Sequence, residues 1–207
     1  TAEALANDLV KQIKITLSEA NVEIAGKLRR KWEVIDQLEF VIGHNRFDKI
    51  DEVLKSLKSI QKIPSRSGPF TWRGITKTEN PVEVVVHYST VVNFYNTLFL
   101  KTGAPLHLSQ TVKESSFKEA AEKQFYESEE AIYTSLGAAY CPPEIREGTW
   151  ELEQSVIGKL PDLIDYKDLK GVLHNHSTYS DGENTLEEMV AQCREMGYTY
   201  LGISDHS

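Results

Sequence analysis

The sequence predicts a mixed α/β fold, and three observations support this prediction. Strand-like and helix-like apolar patterns are interleaved over residues 1–88, helix-like patterns dominate residues 89–160, and a strand–helix–strand pattern occupies residues 171–207. Residues 161–170 show neither pattern and are expected to form a linker. With 207 residues, of which 40% are hydrophobic, the chain is long enough for one large domain or two modest ones with true cores.

The first module is predicted to begin with an amphipathic helix that carries the apolar stripe of Leu5, Leu9, Ile13 and Leu17. A strand, a turn at Gly26 and a second strand follow, and then a helix and two more strands. These five elements are expected over residues 22–25, 38–42, 47–57, 70–77 and 82–87. The module is therefore expected to combine a sheet with flanking helices.

The second module is predicted to be mainly helical. Its first helix has Ser89 as a candidate N-cap and Gly103 as a candidate stop. The neighbouring Pro142 and Pro143 interrupt the helical pattern, because proline lacks the amide hydrogen that a helix interior requires. Further helices are expected over residues 113–126, 128–136 and 150–160.

The closing segment is predicted to be a βαβ unit. Strands over residues 171–174 and 198–204 flank a helix over residues 185–196, whose start is marked by a capping box of Thr185 and Glu188. A strand–helix–strand connection of this length makes the two strands parallel, so their carboxyl ends are expected at the same edge.

Composition narrows the class of protein. The net charge of -8 argues against a general nucleic-acid coat, although a local basic groove could still contact phosphates. Cys141 and Cys193 lie far apart in different modules, which favours reduced thiols in a cytoplasmic setting. The first helix carries lysines inside its pattern, so it is not interpreted as a signal peptide or membrane span. We expect a piece of a soluble protein.

Three histidines and an aspartate form the strongest chemical signal. His174 and His176 are two residues apart, so a strand would direct both imidazoles to one side. Asp181 lies on the following loop, and His206 lies at the end of the second strand of the βαβ unit. Imidazole and carboxylate together suit a first-row metal ion such as Zn, Mn or Fe. The alternative is a coincidence of surface histidines with an ordinary turn.

The segments Leu173 to Gly182 and Ser204 to Ser207 resemble the first two motifs of the PHP (polymerase and histidinol phosphatase) phosphoesterases. The resemblance implies that His174, His176, Asp181 and His206 are ligands of a polynuclear centre that holds Mn or Zn and hydrolyses phosphate esters. It also implies further ligands beyond Ser207, so little metal is expected to bind to this chain alone.

The preceding part resembles bacterial family X DNA polymerases in two main stretches, Ala25 to Arg30 and Leu136 to Gly148. The resemblance implies a nucleotidyltransferase-like palm over residues 1–88 and a thumb over residues 89–160. It further implies a DNA repair role in the cytoplasm or nucleoid, DNA as partner, and Mg or Mn in an active palm. The residues implied to contact nucleotide or phosphate are Gly26, Lys27, Arg29, Arg30, Thr102 and Gly103.

The chain departs from this family where the family places its catalytic aspartates. Those positions fall on Gln37, Glu39 and Glu83. Two-metal phosphoryl transfer needs compact carboxylates, whereas glutamine is neutral and glutamate reaches one methylene further. In addition, Leu100 and Lys101 stand where the family has aromatic residues that pack against the sugar. We therefore predict that the nucleotidyl-transfer site is inactive.

Two charged residues beside this site also bear on the prediction. Lys27 occupies the position of a family serine, where it would repel a metal and could pair with Glu39. Asp36 is adjacent to Gln37, but alternation along a strand directs its side chain to the opposite face.

Two alternatives to an inactive polymerase module follow from the same residues. The palm and thumb could be a non-catalytic module that binds DNA or a protein partner, or the glutamates could support a residual Mn-dependent polymerase. An incomplete PHP barrel would also expose an apolar sheet face, so residues 171–207 are expected to be mobile, packed on the thumb or engaged in a dimer.

Overall fold

The computed structural model describes residues 1–207, which divide into two units, Thr1–Leu160 and Pro161–Ser207. None of the helices combines the length and the hydropathy that crossing a membrane requires. The first unit contains a sheet with helices on both faces and a helical region that follows it in sequence. The second contains a βαβ unit. The predicted mixed α/β class is confirmed.

Five strands form the sheet of the first unit, in the spatial order β1-β2-β5-β4-β3. Only β2 and β5 run parallel to each other, and the other neighbours are antiparallel. Their bounds are β1 (Asn21–Ala25), β2 (Gln37–Gly43), β3 (Ile60–Lys62), β4 (Thr71–Thr76) and β5 (Glu83–Ser89). The parallel pair lies at the centre of the sheet, with β2 and β5 each hydrogen-bonded on both edges.

Helices cover the two faces of this sheet unequally. On one face, α1 (Ala2–Thr16) and α3 (Phe47–Ser56) pack on the alternate strand residues that the hydrophobic pattern predicted. This main core includes Leu9, Ile13, Leu38, Phe40, Ile42, Ile50, Leu54, Trp72, Val84 and Val86. On the other face, α4 (Phe94–Thr102) packs Phe94 and Leu98 against Ala25 and Val41. The polar residues of β2 and β5 share this second, less covered face.

The predicted start of α4 at Ser89 is wrong. Ser89 is the last residue of β5, where it pairs with Gly43 of β2, so the strand ladder has already engaged its backbone. The helix begins four residues after Thr90, at Phe94, with Asn93 at the N-cap. Its predicted end at Gly103 is confirmed. The short elements α2 (Gly26–Arg29) and β3 were not predicted, because neither is long enough to show a period.

The helical region is more broken than the sequence pattern indicates. A hairpin of β6 (Thr111–Val112) and β7 (Ser115–Ser116) replaces the beginning of the helix expected over residues 113–126. The helix α6 (Phe117–Lys123) then starts at a capping box formed by Ser116 and Glu119. The remaining helices are α5 (Pro105–Ser109), α7 (Glu129–Leu136) and α8 (Glu151–Val156).

A buried network of charges joins this helical region to the sheet. Glu129, at the start of α7, accepts hydrogen bonds from Arg29 at 3.0 and 2.5 Å and from Arg146 at 2.5 Å. Arg146 is fully buried and its guanidinium lies 5.1–5.5 Å from the ring centroids of Phe99, Tyr133 and Tyr140. Although burial opposes ionisation, the two arginines hold the pKa of Glu129 below its usual value. One carboxylate thus connects α2, α7 and the segment after the two prolines.

A second buried network centres on His107. Its Nδ1 lies 2.7 Å from Glu151 and its Nε2 lies 2.9 Å from the hydroxyl of Tyr133, while its ring stacks on Phe117. Burial lowers the pKa of His107 despite the adjacent carboxylate. His107 is therefore a core residue with both ring nitrogens engaged.

The second unit has the predicted βαβ topology. The strands β8 (Gly171–Asn175) and β9 (Tyr200–Ile203) are parallel, and α9 (Leu186–Glu195) connects them. The predicted capping box of Thr185 and Glu188 is confirmed. No residue of α9 is buried, and its apolar side chains face an open groove of about 450 Å³ between helix and strands. The unit therefore has secondary structure without an enclosed core.

We expect the substitution Glu129→Ala to destabilise the first unit by about 3–5 kcal/mol, because it leaves the buried Arg146 charge without its partner. The matched control is Glu130→Ala, one residue further on and exposed. Urea unfolding followed by the fluorescence of the buried Trp72 measures both changes. Equal unfolding midpoints for the two variants would contradict the assigned importance of the network.

We also expect the stability of the first unit to fall with acid because of Glu151 and His107. Burial opposes ionisation of Glu151, but hydrogen bonds from His107 and from the amides of Gly148 and Thr149 lower its pKa to about 2. Both groups bind fewer protons when folded than when unfolded, so their stabilisation is complete at high pH and is lost as pH falls. The loss begins below about pH 6.5 for His107 and continues from pH 4.5 towards pH 2 for Glu151.

The lowered pKa of Glu151 stabilises the folded state by about 3 kcal/mol at neutral pH. The variant Glu151→Gln should therefore flatten the acid branch of a plot of unfolding free energy against pH. Glu153→Gln, on the exposed side of the same helix, is the control and should leave the branch unchanged. An equally steep acid branch in Glu151→Gln would show that other groups dominate the pH dependence.

Candidate functional site

The sheet places together the three residues that were expected at the positions of the family's catalytic aspartates. Gln37 and Glu83 are directly opposite each other in the parallel pair of β2 and β5, and Glu39 is two residues further along β2 on the same face. All three are partly buried. The three side chains thus share one face of the sheet, and their chemistry depends on what each side chain contacts.

Glu39 is engaged by residues of the chain itself. Its Oε2 lies 3.4 Å from Nε2 of His87, and Gln37 also contributes a hydrogen bond. Burial opposes ionisation, but these bonds and the nearby Lys101 outweigh it, so the pKa of Glu39 lies below its usual value. Gly26 packs on this carboxylate with φ +63°, and a Cβ at that position would collide with the Glu39 side chain. Glu39 is therefore an ionised, enclosed carboxylate with an imidazole partner.

Glu83 is held by two arginines. Arg66 donates to its Oε1 at 2.8 Å, and Arg73 donates to the same oxygen at 3.1 Å. Arg73 is on β4, next to β5 in the sheet, and Arg66 is on the short 3₁₀ helix Pro64–Arg66. A guanidinium carries a permanent charge and cannot act as a metal ligand. The negative charge of Glu83 is thus already balanced.

The expected pairing of Lys27 with Glu39 is wrong. Lys27 Nζ instead lies 2.6 Å from Oδ2 of Asp36, which immediately precedes β2 and is largely exposed. The reason is local. The Lys27 side chain, on α2, reaches the start of β2, where Asp36 is the accessible carboxylate. This ion pair engages the only carboxylate that could have replaced the neutral Gln37.

The implied phosphate-binding residues form contacts within the chain. Arg29 donates to the hydroxyl of Thr102 at 2.8 Å as well as to Glu129. Arg30 donates to the Thr102 carbonyl at 2.7 Å and to Glu147 at 2.6 Å. Gly103 directly follows at the end of α4. The basic loop is therefore part of the connection between the sheet and the helices. That this loop binds phosphate stays a prediction.

The second unit brings three of the four predicted metal ligands together. The ligand atoms of His176, Asp181 and His206 all lie within 4.8 Å of one another. Asp181 Oδ1 is 3.3 Å from Nδ1 of His176 and 3.6 Å from Nε2 of His206. The parallel strands bring these residues to one edge, as the topology predicted.

His174 is outside this group of three. It has φ +60°, and the pairing of β8 with β9 is irregular between Val172 and Asn175. Its ring centroid lies 5.5 Å from that of His176. The simple two-residue strand period assumed for the pair is therefore interrupted at His174, whose proposed role as a ligand stays a prediction.

The donors present fit a divalent metal ion. Two imidazoles and one carboxylate are a ligand set that Zn, Mn and Fe accept. Nδ1 of His176 is buried, and despite its proximity to Asp181 it has no aligned hydrogen-bond partner. A buried nitrogen without a partner is costly, and a metal ion would satisfy it.

Sequence reasoning missed four residues that define these sites. His87, Arg66 and Arg73 reach the palm carboxylates only because of the strand order, which the sequence does not reveal. Asp205 accepts three hydrogen bonds from the 177–180 loop. The adjacent serines of this loop were the available signal, since short hydroxyl side chains commonly satisfy such a carboxylate.

Comparisons with known proteins agree with both parts of this description. The family model described as "PHP domain" matches residues 173–207. The DNA polymerase/3'-5' exonuclease PolX of Bacillus subtilis (strain 168) is 32% identical over 195 residues, which is 88% of this chain and 34% of that protein. The chain therefore spans about a third of the length of this relative.

A solved structure supports the fold of the first part. The structure titled as Leishmania infantum polymerase beta in a ternary P/T complex aligns with a TM-score of 0.54 at 15% identity, covering 70% of this chain and 74% of that chain. The fold is therefore an α/β polymerase beta-like fold with a nucleotidyltransferase-like palm and a thumb. Together with the sequence matches, it relates the chain to the family X DNA polymerases that carry a PHP domain.

Proposed function

We propose that residues 1–160 form a polymerase-like module that no longer transfers nucleotides. We further propose that the protein acts in DNA repair through its PHP domain, as a metal-dependent 3'-5' exonuclease or related phosphoesterase. The observation that carries the first part is that each charged side chain at the catalytic positions has a partner within the chain. Glu83 is bound by Arg66 and Arg73, and Glu39 contacts His87.

The electrostatics of the palm favour this proposal. Two divalent ions a few ångströms apart need several uncompensated carboxylate charges to offset their repulsion. Gln37 supplies no charge, and the charge of Glu83 is shared with two arginines at 2.8 and 3.1 Å. Lys27, at 2.6 Å from Asp36, adds a cation to the same region. Residual Mn-dependent transfer would require at least Glu83 to leave its arginines.

The carboxylate of the PHP site differs from Glu83 of the palm, because it has no arginine or lysine partner. His176, Asp181 and His206 converge without any lysine or arginine among their ion-pair partners. A bound ion would polarise a phosphate ester and lower the pKa of a coordinated water. Of the chain's own residues, Asp181 contributes the charge and the two imidazoles contribute neutral donors. The metal is proposed to be Mn or Zn.

DNA is the proposed partner, and the cytoplasm or nucleoid the proposed location. The relatives are DNA polymerases by name, and a 3'-5' exonuclease acts on strand ends. Because Arg29 and Arg30 are engaged with Glu129 and Glu147, we propose that this loop contributes little to phosphate binding. The palm and thumb would then serve mainly as a scaffold and less as a DNA-binding surface. The proposed domain limits are those of the sequence analysis, with a palm over residues 1–88 and a thumb over residues 89–160.

We expect no template-directed incorporation by the full-length protein in a primer-extension assay with Mg²⁺ or Mn²⁺. The diagnostic variant combines Gln37→Asp, Glu39→Asp and Glu83→Asp with Arg66→Ala, which returns compact carboxylates and removes one competing cation. Incorporation in this variant alone would support erosion of an ancestral site. Extension by the unmodified protein at ordinary polymerase rates would overturn the proposal.

We expect the full-length protein to degrade a 3'-labelled DNA strand in the presence of Mn²⁺ and to lose at least about 100-fold of this activity in Asp181→Ala, because the only charged donor of the group is removed. Lys118→Ala, on the exposed side of α6, is the control and should retain full activity. Undiminished degradation by Asp181→Ala would place the nuclease activity elsewhere.

A further inference from the structure

The loop between His176 and Asp181 is held by the residue that precedes His206. The Asp205 carboxylate accepts hydrogen bonds from the Ser177 amide at 2.6 Å, from the Ser177 hydroxyl at 2.6 Å and from the Ser180 hydroxyl at 2.8 Å. All three donors belong to this one loop. Both carboxylate oxygens of Asp205 are therefore engaged within the protein.

Ser177 is the one buried residue of the second unit, in which every other residue is at least partly exposed. Its carbonyl accepts from the amides of Ser180 and Gly182, both at 3.0 Å, and its hydroxyl accepts from the amide of Tyr179 at 3.2 Å. A Cβ at position 182 would collide with the backbone of His176, so only glycine permits this tight turn. The loop is compact, and Asp205 is its anchor to the end of β9.

We propose that Asp205 is a positioning residue of the metal centre, an inference that rests on the proposed PHP function. Its hydrogen-bond partners are adjacent in sequence to the metal-binding candidates. Ser177 follows His176, Ser180 precedes Asp181, and Asp205 itself precedes His206. One carboxylate thus sets the distances among three donors that come from the ends of two strands. Asp205 contacts no metal itself, because its oxygens are directed at the loop.

The test uses Co²⁺, whose visible absorption reports both affinity and ligand geometry. In the full-length protein, Asp205→Ala should weaken Co²⁺ binding by about 10–100-fold, the usual effect of removing a group that orients metal ligands. Asp205→Asn should recover part of this loss, because its Oδ1 can still accept from the Ser177 amide and the Ser180 hydroxyl. Asp162→Ala, an exposed residue of the same unit, is the control and should bind like the unmodified chain.

The spectrum at saturation separates positioning from ligation. Asp205→Asn should reach the same spectrum as the unmodified chain, since the ligands are unchanged. A different spectrum at saturation would make Asp205 a ligand and overturn the inference. Equal affinities for Asp205→Ala and the unmodified chain would also overturn it.

A second measurement needs no metal. In the metal-free chain, the Ser177 amide should be protected from hydrogen exchange, and Asp205→Ala should remove this protection while circular dichroism confirms retained secondary structure. If the unmodified chain binds no Co²⁺ but loses Ser177 protection in Asp205→Ala, the positioning role stands and the metal part of the proposed function fails. Unchanged protection in the variant would overturn the positioning role whatever the metal result.

Discussion

The first unit depends on one buried carboxylate, that of Glu129, which lies between two arginines. A buried arginine is tolerated only where hydrogen bonds and opposite charge offset its loss of water, and Arg146 has Glu129 and three aromatic rings for this purpose. The same carboxylate accepts from Arg29, so the position of α2 follows from the packing of α7. Since α2 begins at Gly26, the turn that covers Glu39 is set by an ion network on the far side of the helix. Sheet and helical region are thereby fixed to each other through charge as well as through apolar packing.

The ion network and the main core of this polymerase beta-like fold do not use Gln37, Glu39 or Glu83. The network uses Arg29, Glu129 and Arg146, none of which is at a catalytic carboxylate position. The main core lies on the opposite face of the sheet from Gln37 and Glu83. Substitutions at Gln37, Glu39 and Glu83 are therefore expected to leave the packing of the main core unchanged. The candidate site and the main core thus lie on two faces of one sheet.

The sequence predicted those elements whose periodicity is long enough to detect and those whose ends carry capping residues. The capping box of Thr185 and Glu188 and the stop at Gly103 both depend on local chemistry, and both were predicted correctly. Ser89 failed as a predicted N-cap because pairing with β2, a nonlocal contact, extended the strand through it. The partner of Lys27 was wrong for a similar reason, since choosing between two nearby carboxylates requires the orientation of α2. Convergence of His176, Asp181 and His206 was predictable because parallel topology alone brings strand ends together.

The two acidic sites of the chain show why only one of them suits a metal ion. Glu83 faces two guanidinium groups, which keep their protons at any physiological pH and have no lone pair to offer a metal. Asp181 faces two imidazoles, whose ring nitrogens can present a lone pair to a metal ion. A cation entering the first site must displace arginines, whereas a cation entering the second gains ligands. The identity of the nitrogen partner, more than the presence of a carboxylate, therefore decides which of the two groups of side chains has donors that fit a metal ion.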